Sequence, residues 1–260
     1  MHIEIDRQAI SALIALLLVM TRIGSAIVFV PIPGMRSAPE AARVVLMLAA
    51  TVLLCRYWIA ASGVPQDWTI AGIGAAIGSE AMFGMGVGIG VSLLVEASQI
   101  AGQLISLQAG FSYASTIDPA SDVDSGIVLI VCQLLTSLVF FALGLDRVIL
   151  RGFAESFEHI PLGLYQPRLS AVEGLIRIGS GMFQTAFRLA LPLTAVLLIA
   201  DIALALAGRF LQQLQLSTVL FPVKTLGALA MLALAAGASA RLIGQWLAEG
   251  WRMISQSAGI

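Results

Sequence analysis

Four ionisable residues, Arg22, Glu80, Asp201 and Lys224, lie near the middle of long apolar stretches. An isolated charge at such a position costs about 2.5 to 3.5 kcal/mol in a membrane helix. Each of them therefore needs a partner, supplied by the same chain or by another subunit. We expect these residues to act as intramembrane or intersubunit charges.

Two of the four are suited to pair with each other. Residues 189–208 and 219–240 predict an antiparallel hairpin whose turn centres near residue 213. Asp201 and Lys224 are about 11 to 12 residues from that point, or ~17 Å along a helix axis. Equal depth predicts an ion pair within the hairpin, or two charges at one level that pair with neighbouring subunits. Alternatively, Lys224, which follows Pro222 closely, extends to the membrane surface.

A stripe of polar residues runs along the predicted helix 91–109, whose other positions are mainly Leu, Val, Ile and Ala. Spacings of three and four place the stripe on one helical face. Its members are Ser92, Glu96, Gln99, Gln103 and Ser106. Such a face suits either a water-filled conduit or hydrogen bonding between helices of one bundle, and in neither case does it face lipid.

A glycine-rich run precedes this stripe and contains Gly84, Gly86, Gly88 and Gly90. Its spacing resembles a nucleotide-binding loop, but no strand precedes it, which argues against that function. Glycines four residues apart instead predict close packing between helices, or a flexible break in a helix.

A turn-rich loop follows the stripe, at residues 107–126. It carries Gly110, the aromatic residues Phe111 and Tyr113, and then Asp118 and Pro119. Aromatic residues directly beyond a polar face are suited to capping a pore. The alternative is a surface loop whose aromatic rings anchor it at the membrane interface.

No catalytic or metal-binding constellation is visible. His159 lies beside Glu155 and Glu158 on an amphipathic segment, and the other histidine is at the second position. Cys55 and Cys132 lie in separate apolar stretches without a CxxC motif. We therefore expect no enzymatic activity, no metal and no cofactor.

The composition excludes a soluble enzyme and a nucleic-acid binder. Hydrophobic residues make up 59% of the 260 residues and charged residues 11%, against roughly 25% in a soluble domain. The net charge is -1, and no run of Lys or Arg occurs. Such a chain predicts an all-α integral membrane protein, because spanning backbone must satisfy its own hydrogen bonds.

Six apolar segments are long enough to be candidate spans. They lie at about 8–30, 41–61, 69–95, 127–145, 189–208 and 219–240. Amphipathic helices are predicted at 147–160, at the membrane interface, and at 171–188, with an interruption at Gly179-Ser180-Gly181. The Arg distribution places both termini in the cytoplasm. Residues 69–109 form either one long helix or a hairpin broken in the glycine run.

Four groups of residues carry a resemblance to a known family. The first is TRIGSAIVFVPIPGMRSAPEAARVVLML, with Arg22, Pro31, Gly34, Pro39 and Arg43. The second contains Glu80, Gly84, Glu96, Ala101, Gly102, Gln108, Gly110, Asp118 and Pro119. The third and fourth contain Ser156, Phe157, Pro161, Gly163, Pro192, Asp201, Arg209, Gln213, Pro222 and Lys224. In this order they resemble the FliR/SctT family of type III secretion export-gate proteins, over most of the chain.

The resemblance implies a non-enzymatic channel component for export of unfolded flagellar proteins. It implies one export-gate domain, 1–260, with a FliP-like portion at 1–184 and a FliQ-like helical hairpin at 185–260. The loop 107–119 would be the pore plug, with Gln108, Gly110, Phe111, Tyr113, Asp118 and Pro119. The implied partners are FliP-like and FliQ-like subunits, FlhB-like and FlhA-like components, membrane lipid and unfolded secreted proteins. The implied location is the bacterial inner membrane, at the flagellar basal body.

Three alternatives remain open at this point. The chain could serve the equivalent gate of a virulence injectisome. It could be a small-molecule transporter with a binding site at broken glycine-rich helices, although no internal inverted repeat is visible. It could also be a passive scaffold whose charges join subunits.

Overall fold

The computed structural model describes residues 7–30, 39–54, 69–110, 127–210 and 216–260. Within these ranges the regular structure is helical and no strand occurs, which confirms the all-α class. The helices are α1 (Arg7–Phe29), α2 (Glu40–Leu53), α3 (Ile70–Ala109), α4 (Ile127–Ala142), α5 (Leu145–His159), α6 (Leu169–Phe210) and α7 (Leu216–Ala258).

Four helical stretches of the described part are long and apolar enough to cross a membrane. They are Ile10–Phe29, Ile70–Ala109, Leu169–Ala203 and Lys224–Ala258, and α4 with α5 makes a fifth if the two are counted as one span. The sequence predicted six apolar segments. The described part of the predicted segment 41–61 is α2, which has 14 residues. The rest of the segment, from residue 55, lies outside the described residues.

Three helices are longer than the apolar segments that predicted them. Residues 70–109 form the single helix α3, which decides between the two alternatives for this stretch. The predicted interruption at Gly179-Ser180-Gly181 is wrong, because α6 continues through it. Gly181 instead makes room for a tryptophan, since a Cβ there would lie 2.7 Å from the Trp246 ring. Hydropathy detects only the apolar part of a helix, whereas amphipathic flanks extend it by burying one face on protein.

The chain divides into two compact units, and α3, α6 and α7 each contribute residues to both. Unit 1 comprises Met1–Leu94, Gly144–Gly179 and Ala248–Ile260. Within it, α1 packs on α2 and on the first part of α3. The apolar face of α5, predicted to lie at the membrane interface, is buried in the protein through Ile149, Phe153 and Phe157.

Unit 2 comprises Val95–Leu143 and Ser180–Leu247. In this unit α6 and α7 run antiparallel, because the residues that touch across them, Gly181 with Trp246 and Leu197 with Ala228, are equally distant from about residue 213. Ala109 at the end of α3 completes the buried contact of Leu197 with Ala228. The last turns of α3 therefore lie on the hairpin formed by α6 and α7.

Candidate functional site

Arg22 on α1 and Glu80 on α3 form a buried ion pair in unit 1. Arg22 donates through Nε to Glu80 Oε2 and through Nη2 to Oε1, the second bond being 2.9 Å long. Both side chains are 0% exposed. Two parallel hydrogen bonds between a guanidinium and a carboxylate form the strongest arrangement available to such a pair.

The remaining polar atoms of the pair bind α5 and the turn after it. Arg22 Nη1 donates to the carbonyl oxygen of Ser156 at 3.3 Å and to its hydroxyl at 3.2 Å, and Nη2 donates to the carbonyl oxygen of Ile160 at 3.2 Å. Glu80 Oε1 accepts the backbone N–H of Gly163 at 2.7 Å. We call Arg22, Glu80, Ser156, Ile160 and Gly163 the arginine cluster.

Two aromatic rings contact the guanidinium of the arginine cluster. The Arg22 guanidinium carbon lies 4.9 Å from the ring centre of Phe83 and 4.8 Å from that of Phe157. Cation–π contacts of this length offset part of the cost of burying the charge. The cluster joins α1, α3, α5 and the turn at 160–163, and its polar groups are engaged with one another.

Asp201 on α6 accepts two side chains in unit 2. Lys224 Nζ lies 2.7 Å from Oδ1 and 2.8 Å from Oδ2, and Gln108 Nε2 donates to Oδ2 at 2.9 Å. The side chains of Lys224 and Asp201 are 17% and 38% exposed. We call Gln108, Asp201 and Lys224 the hairpin triad. The structure thus brings Asp201 and Lys224 together, and adds Gln108 to them.

The sequence predicts that Arg22 and Glu80 need partners but does not pair them with each other. They are 58 residues apart, and no hairpin symmetry relates them. A usable signal was present, because each is the single ionisable residue in a long apolar run and their charges are opposite. The contacts with Ser156, Ile160 and Gly163 had no sequence signal, since three of them use backbone atoms.

The polar stripe on α3 has no single environment. Gln99 is buried, Gln103 is exposed, and Ser92, Glu96 and Ser106 are half-buried. Glu96 and Gln99 both have interactions within the protein. Whether this face lines a conduit stays a prediction.

The glycines of α3 differ in what they contact. A Cβ on Gly84 would lie 2.2 Å from the Arg22 carbonyl oxygen, and one on Gly88 would lie 2.7 Å from that of Ala26. A Cβ on Gly90 would meet Ile254 at 2.9 Å, whereas one on Gly86 would meet nothing within 4 Å. The α1 backbone therefore approaches α3 at Gly84 and Gly88.

The predicted plug lies mostly outside the described residues. Phe111, Tyr113, Asp118 and Pro119 fall in the range 111–126 and are not described. Gly110 ends the described segment with φ +88°, a left-handed conformation that suits glycine.

Tyr165 follows the turn of the arginine cluster. Its ring packs edge-on against Phe83 with 5.2 Å between ring centres, and it lines a cavity of about 260 Å³. Burial raises the pKa of the Tyr165 hydroxyl above its ordinary value of 10.0, and the charge of Arg168 acts in the opposite direction. In the described residues no group of three His, Cys, Asp or Glu side chains is placed to hold a metal ion.

Known proteins match most of the chain. Residues 13–250 match the family described as "Bacterial export proteins, family 1". The flagellar biosynthetic protein FliR of Escherichia coli (strain K12) is 27% identical over 193 residues, covering 74% of this chain and 73% of that protein. FliR of Bacillus subtilis (strain 168) is 27% identical over 216 residues, covering 81% of each. The Yop proteins translocation protein T of Yersinia pestis is 27% identical over 152 residues, covering 57% of this chain and 58% of its own.

Proposed function

The chain belongs to the family described as "Bacterial export proteins, family 1", and from this membership we propose that it is a channel-forming subunit of the flagellar protein export apparatus. The observation that carries the proposal is the extent of the match. It covers residues 13–250 and so includes both the arginine cluster and the hairpin triad. The named flagellar relatives from Escherichia coli and Bacillus subtilis also cover more of the chain than the Yersinia protein does.

The chain is an integral protein of the bacterial inner membrane. Its long helices are apolar, and large hydrophobic side chains such as Leu134, Leu138, Ile176 and Leu234 are exposed on them. So much exposed apolar surface requires cover from lipid or from other proteins. The proposal assigns that cover to lipid and to FliP-like and FliQ-like subunits, with FlhB-like and FlhA-like components nearby and the assembly at the flagellar basal body.

The proposed role is structural and not enzymatic. Two pairs of opposite charges on the described helices are engaged with each other: the buried Arg22 with Glu80, and the half-buried Asp201 with Lys224. A catalytic acid, base or nucleophile has to reach a substrate, whereas Arg22 and Glu80 are fully enclosed. This arrangement supports a wall of packed helices around a path for unfolded protein.

The proposed pore plug is the segment 107–119, although its first three residues, 107–109, are the end of α3 and not part of a loop. Deleting residues 110–114, which include Phe111 and Tyr113, should raise leakage of small solutes across the membrane without preventing assembly. An unchanged leak in a fully assembled deletion variant would contradict the plug.

Gene deletion tests the function itself. Cells that lack the chain should not swim and should not release hook or filament proteins into the medium, and the intact chain supplied from a plasmid should restore both. A deletion strain that swims normally but no longer secretes injected effector proteins would favour an injectisome gate. Purification supplies an independent check, because the chain should be isolated together with FliP-like and FliQ-like subunits, and a stable solitary monomer would favour a small transporter.

A further inference from the structure

The cavity of about 260 Å³ that Tyr165 lines is rich in hydrogen-bond donors. It lies in unit 1, where the turn after α5 and the start of α6 meet the end of α7. Among the described residues that line it, none is Asp or Glu. Lining side chains that can donate hydrogen bonds are His159, Tyr165, Gln166, Arg168, Ser170 and Gln256. Such a lining suits a ligand with several acceptor oxygens.

Arg168 gives the cavity a positive charge. In the described part of the chain it forms no ion pair with an acidic side chain. Its charge acts on the pKa of the Tyr165 hydroxyl in the direction opposite to burial, so the guanidinium lies near that hydroxyl. Because burial raises the pKa of Tyr165 above 10.0, the hydroxyl stays protonated at neutral pH and can donate. Arg168 and Tyr165 are therefore two neighbouring donors, one of them charged.

The acidic side chains closest in sequence do not balance this charge. Glu155 forms an ion pair with the arginine four residues before it, at 3.1 Å. Glu158 is exposed and does not line the cavity. Glu173 lines a neighbouring cavity of about 240 Å³, which an arginine also lines, and α6 has no acidic residue in its first turn. The charge of Arg168 is thus available to a ligand.

Contacts with the arginine cluster fix one wall of the cavity. Ile160 lines the cavity, and its carbonyl oxygen accepts a hydrogen bond from Arg22 at 3.2 Å. The Tyr165 ring is positioned by its edge-on contact with Phe83, which itself contacts the Arg22 guanidinium. A wall that is ordered before binding loses little freedom when a ligand arrives, which favours affinity.

We propose that this cavity binds a phosphate group carried on a small polar molecule, and that Arg168 and Tyr165 hold the phosphate. A guanidinium matches two oxygens of a phosphate with parallel hydrogen bonds. The volume exceeds that of the phosphate itself, and the amides of Gln166 and Gln256 can bind hydroxyl groups on the rest of the ligand. The headgroup of an anionic phospholipid and a free phosphate ester share this chemistry. The site is independent of the export function proposed above.

The test measures binding of radiolabelled glycerol phosphate to the full-length chain, purified with its accompanying subunits in nanodiscs of phosphatidylcholine. Binding should saturate at one molecule per chain. Arg168→Gln should weaken it roughly 10- to 100-fold, the effect of losing one hydrogen bond between charged groups. Arg252→Gln is the matched control and should bind normally, because Arg252 is an exposed arginine of α7 that does not line the cavity.

A second arm separates the two sources of phosphate. The same measurement is made in nanodiscs that contain phosphatidylglycerol. If a lipid headgroup is the ligand, phosphatidylglycerol should abolish the binding of glycerol phosphate to the unsubstituted chain. If a free ester is the ligand, binding should be equal in both kinds of nanodisc. Either result supports the site.

Three results would overturn the proposal. The first is equal affinity in Arg168→Gln and Arg252→Gln, and the second is no saturable binding in phosphatidylcholine nanodiscs. The third is equally tight binding of glycerate, which carries a carboxylate in place of the phosphate.

A second variant covers the case in which Arg168→Gln does not assemble. Tyr165→Phe keeps the ring against Phe83 and removes only the hydroxyl, so it should weaken binding roughly tenfold. Unchanged affinity in Tyr165→Phe would then contradict the site. Failure of both variants to assemble would make Arg168 and Tyr165 folding residues and would also overturn the proposal.

Discussion

Gly84 is the position on α3 where one added methyl group should do the most damage. A Cβ there would lie 2.0 Å from the Ser25 hydroxyl oxygen and 2.2 Å from the Arg22 carbonyl oxygen. The hydroxyl can rotate away, but the carbonyl belongs to the α1 backbone. Ordinary contact therefore requires α1 and α3 to separate by about 1 Å. The residue that moves is Arg22, whose guanidinium holds the arginine cluster together.

The magnitude follows from comparing Gly84→Ala with Gly86→Ala. Both changes should gain about 1 kcal/mol of helix propensity, which cancels in the comparison. Only Gly84→Ala meets backbone, since a Cβ on Gly86 has nothing within 4 Å. Overpacking of this kind costs about 1 to 3 kcal/mol. At ~2 to 4 °C per kcal/mol, the melting temperature of Gly84→Ala should lie roughly 2 to 12 °C below that of Gly86→Ala.

Each purified full-length variant is heated in the same detergent. The fraction that remains monodisperse on size-exclusion chromatography is then measured at each temperature. Gly86→Ala should melt at or slightly above the temperature of the unsubstituted chain. Equal melting temperatures for the two variants, or a higher one for Gly84→Ala, would refute the close approach of α1 to α3 at this residue.

Three further predictions concern the arginine cluster, its turn at 160–163 and Tyr165 beyond it. Arg22→Met should lower the stability of the folded chain by about 3 to 5 kcal/mol, because it leaves Glu80 buried without its cation. Adding Glu80→Met should recover part of that stability, and protease resistance of the membrane-inserted chain measures both changes. A double variant that is no more resistant than Arg22→Met contradicts the pairing. Gly163→Ala should lower stability by ~1 to 2 kcal/mol, because φ is +77° there and a residue with a Cβ is strained in that conformation. Gly179→Ala, in open space on α6, should cause no measurable loss of stability in the same assay. One of the chain's three tyrosines should ionise above pH 10 by absorbance at 295 nm and be missing from that titration in Tyr165→Phe. Because the folded pKa of Tyr165 is raised, the unfolded chain loses this proton first, and stability should fall as pH rises past 10.

Sequence reasoning worked best where a local rule relates distant residues. Equal distance from one turn predicts the same depth for Asp201 and Lys224, and the amphipathic pattern at 147–160 predicts α5. It failed where two helices meet without such a rule. Nothing in the spacing relates Arg22 to Glu80, and Gln108 joined the hairpin through a contact 93 residues away in the chain.

A hydropathy pattern also does not predict the full lengths of the helices. The windows 189–208 and 219–240 mark the apolar parts of α6 and α7, but both helices continue on amphipathic sequence. That continuation depends on other parts of the protein that cover one face of each helix. Ile178 and Met182 of α6 are buried, whereas Ile176 and Phe183 on the same helix are exposed. Whether a polar helical flank has such a partner is decided by tertiary packing and not by composition.

The spacing of the arginine cluster along the chain determines the order in which its members leave the ribosome. Arg22 is made 58 residues before Glu80, which corresponds to roughly 3 to 12 s at ordinary rates of synthesis. Ser156 and Gly163 follow still later. During that interval α1 carries a cation whose permanent partners have not yet been translated, and lipid alone is a costly environment for it. Nascent α1 must therefore stay in contact with the insertion machinery or with water until α3 arrives, so correct insertion of this protein depends on the timing of its synthesis as well as on its final contacts.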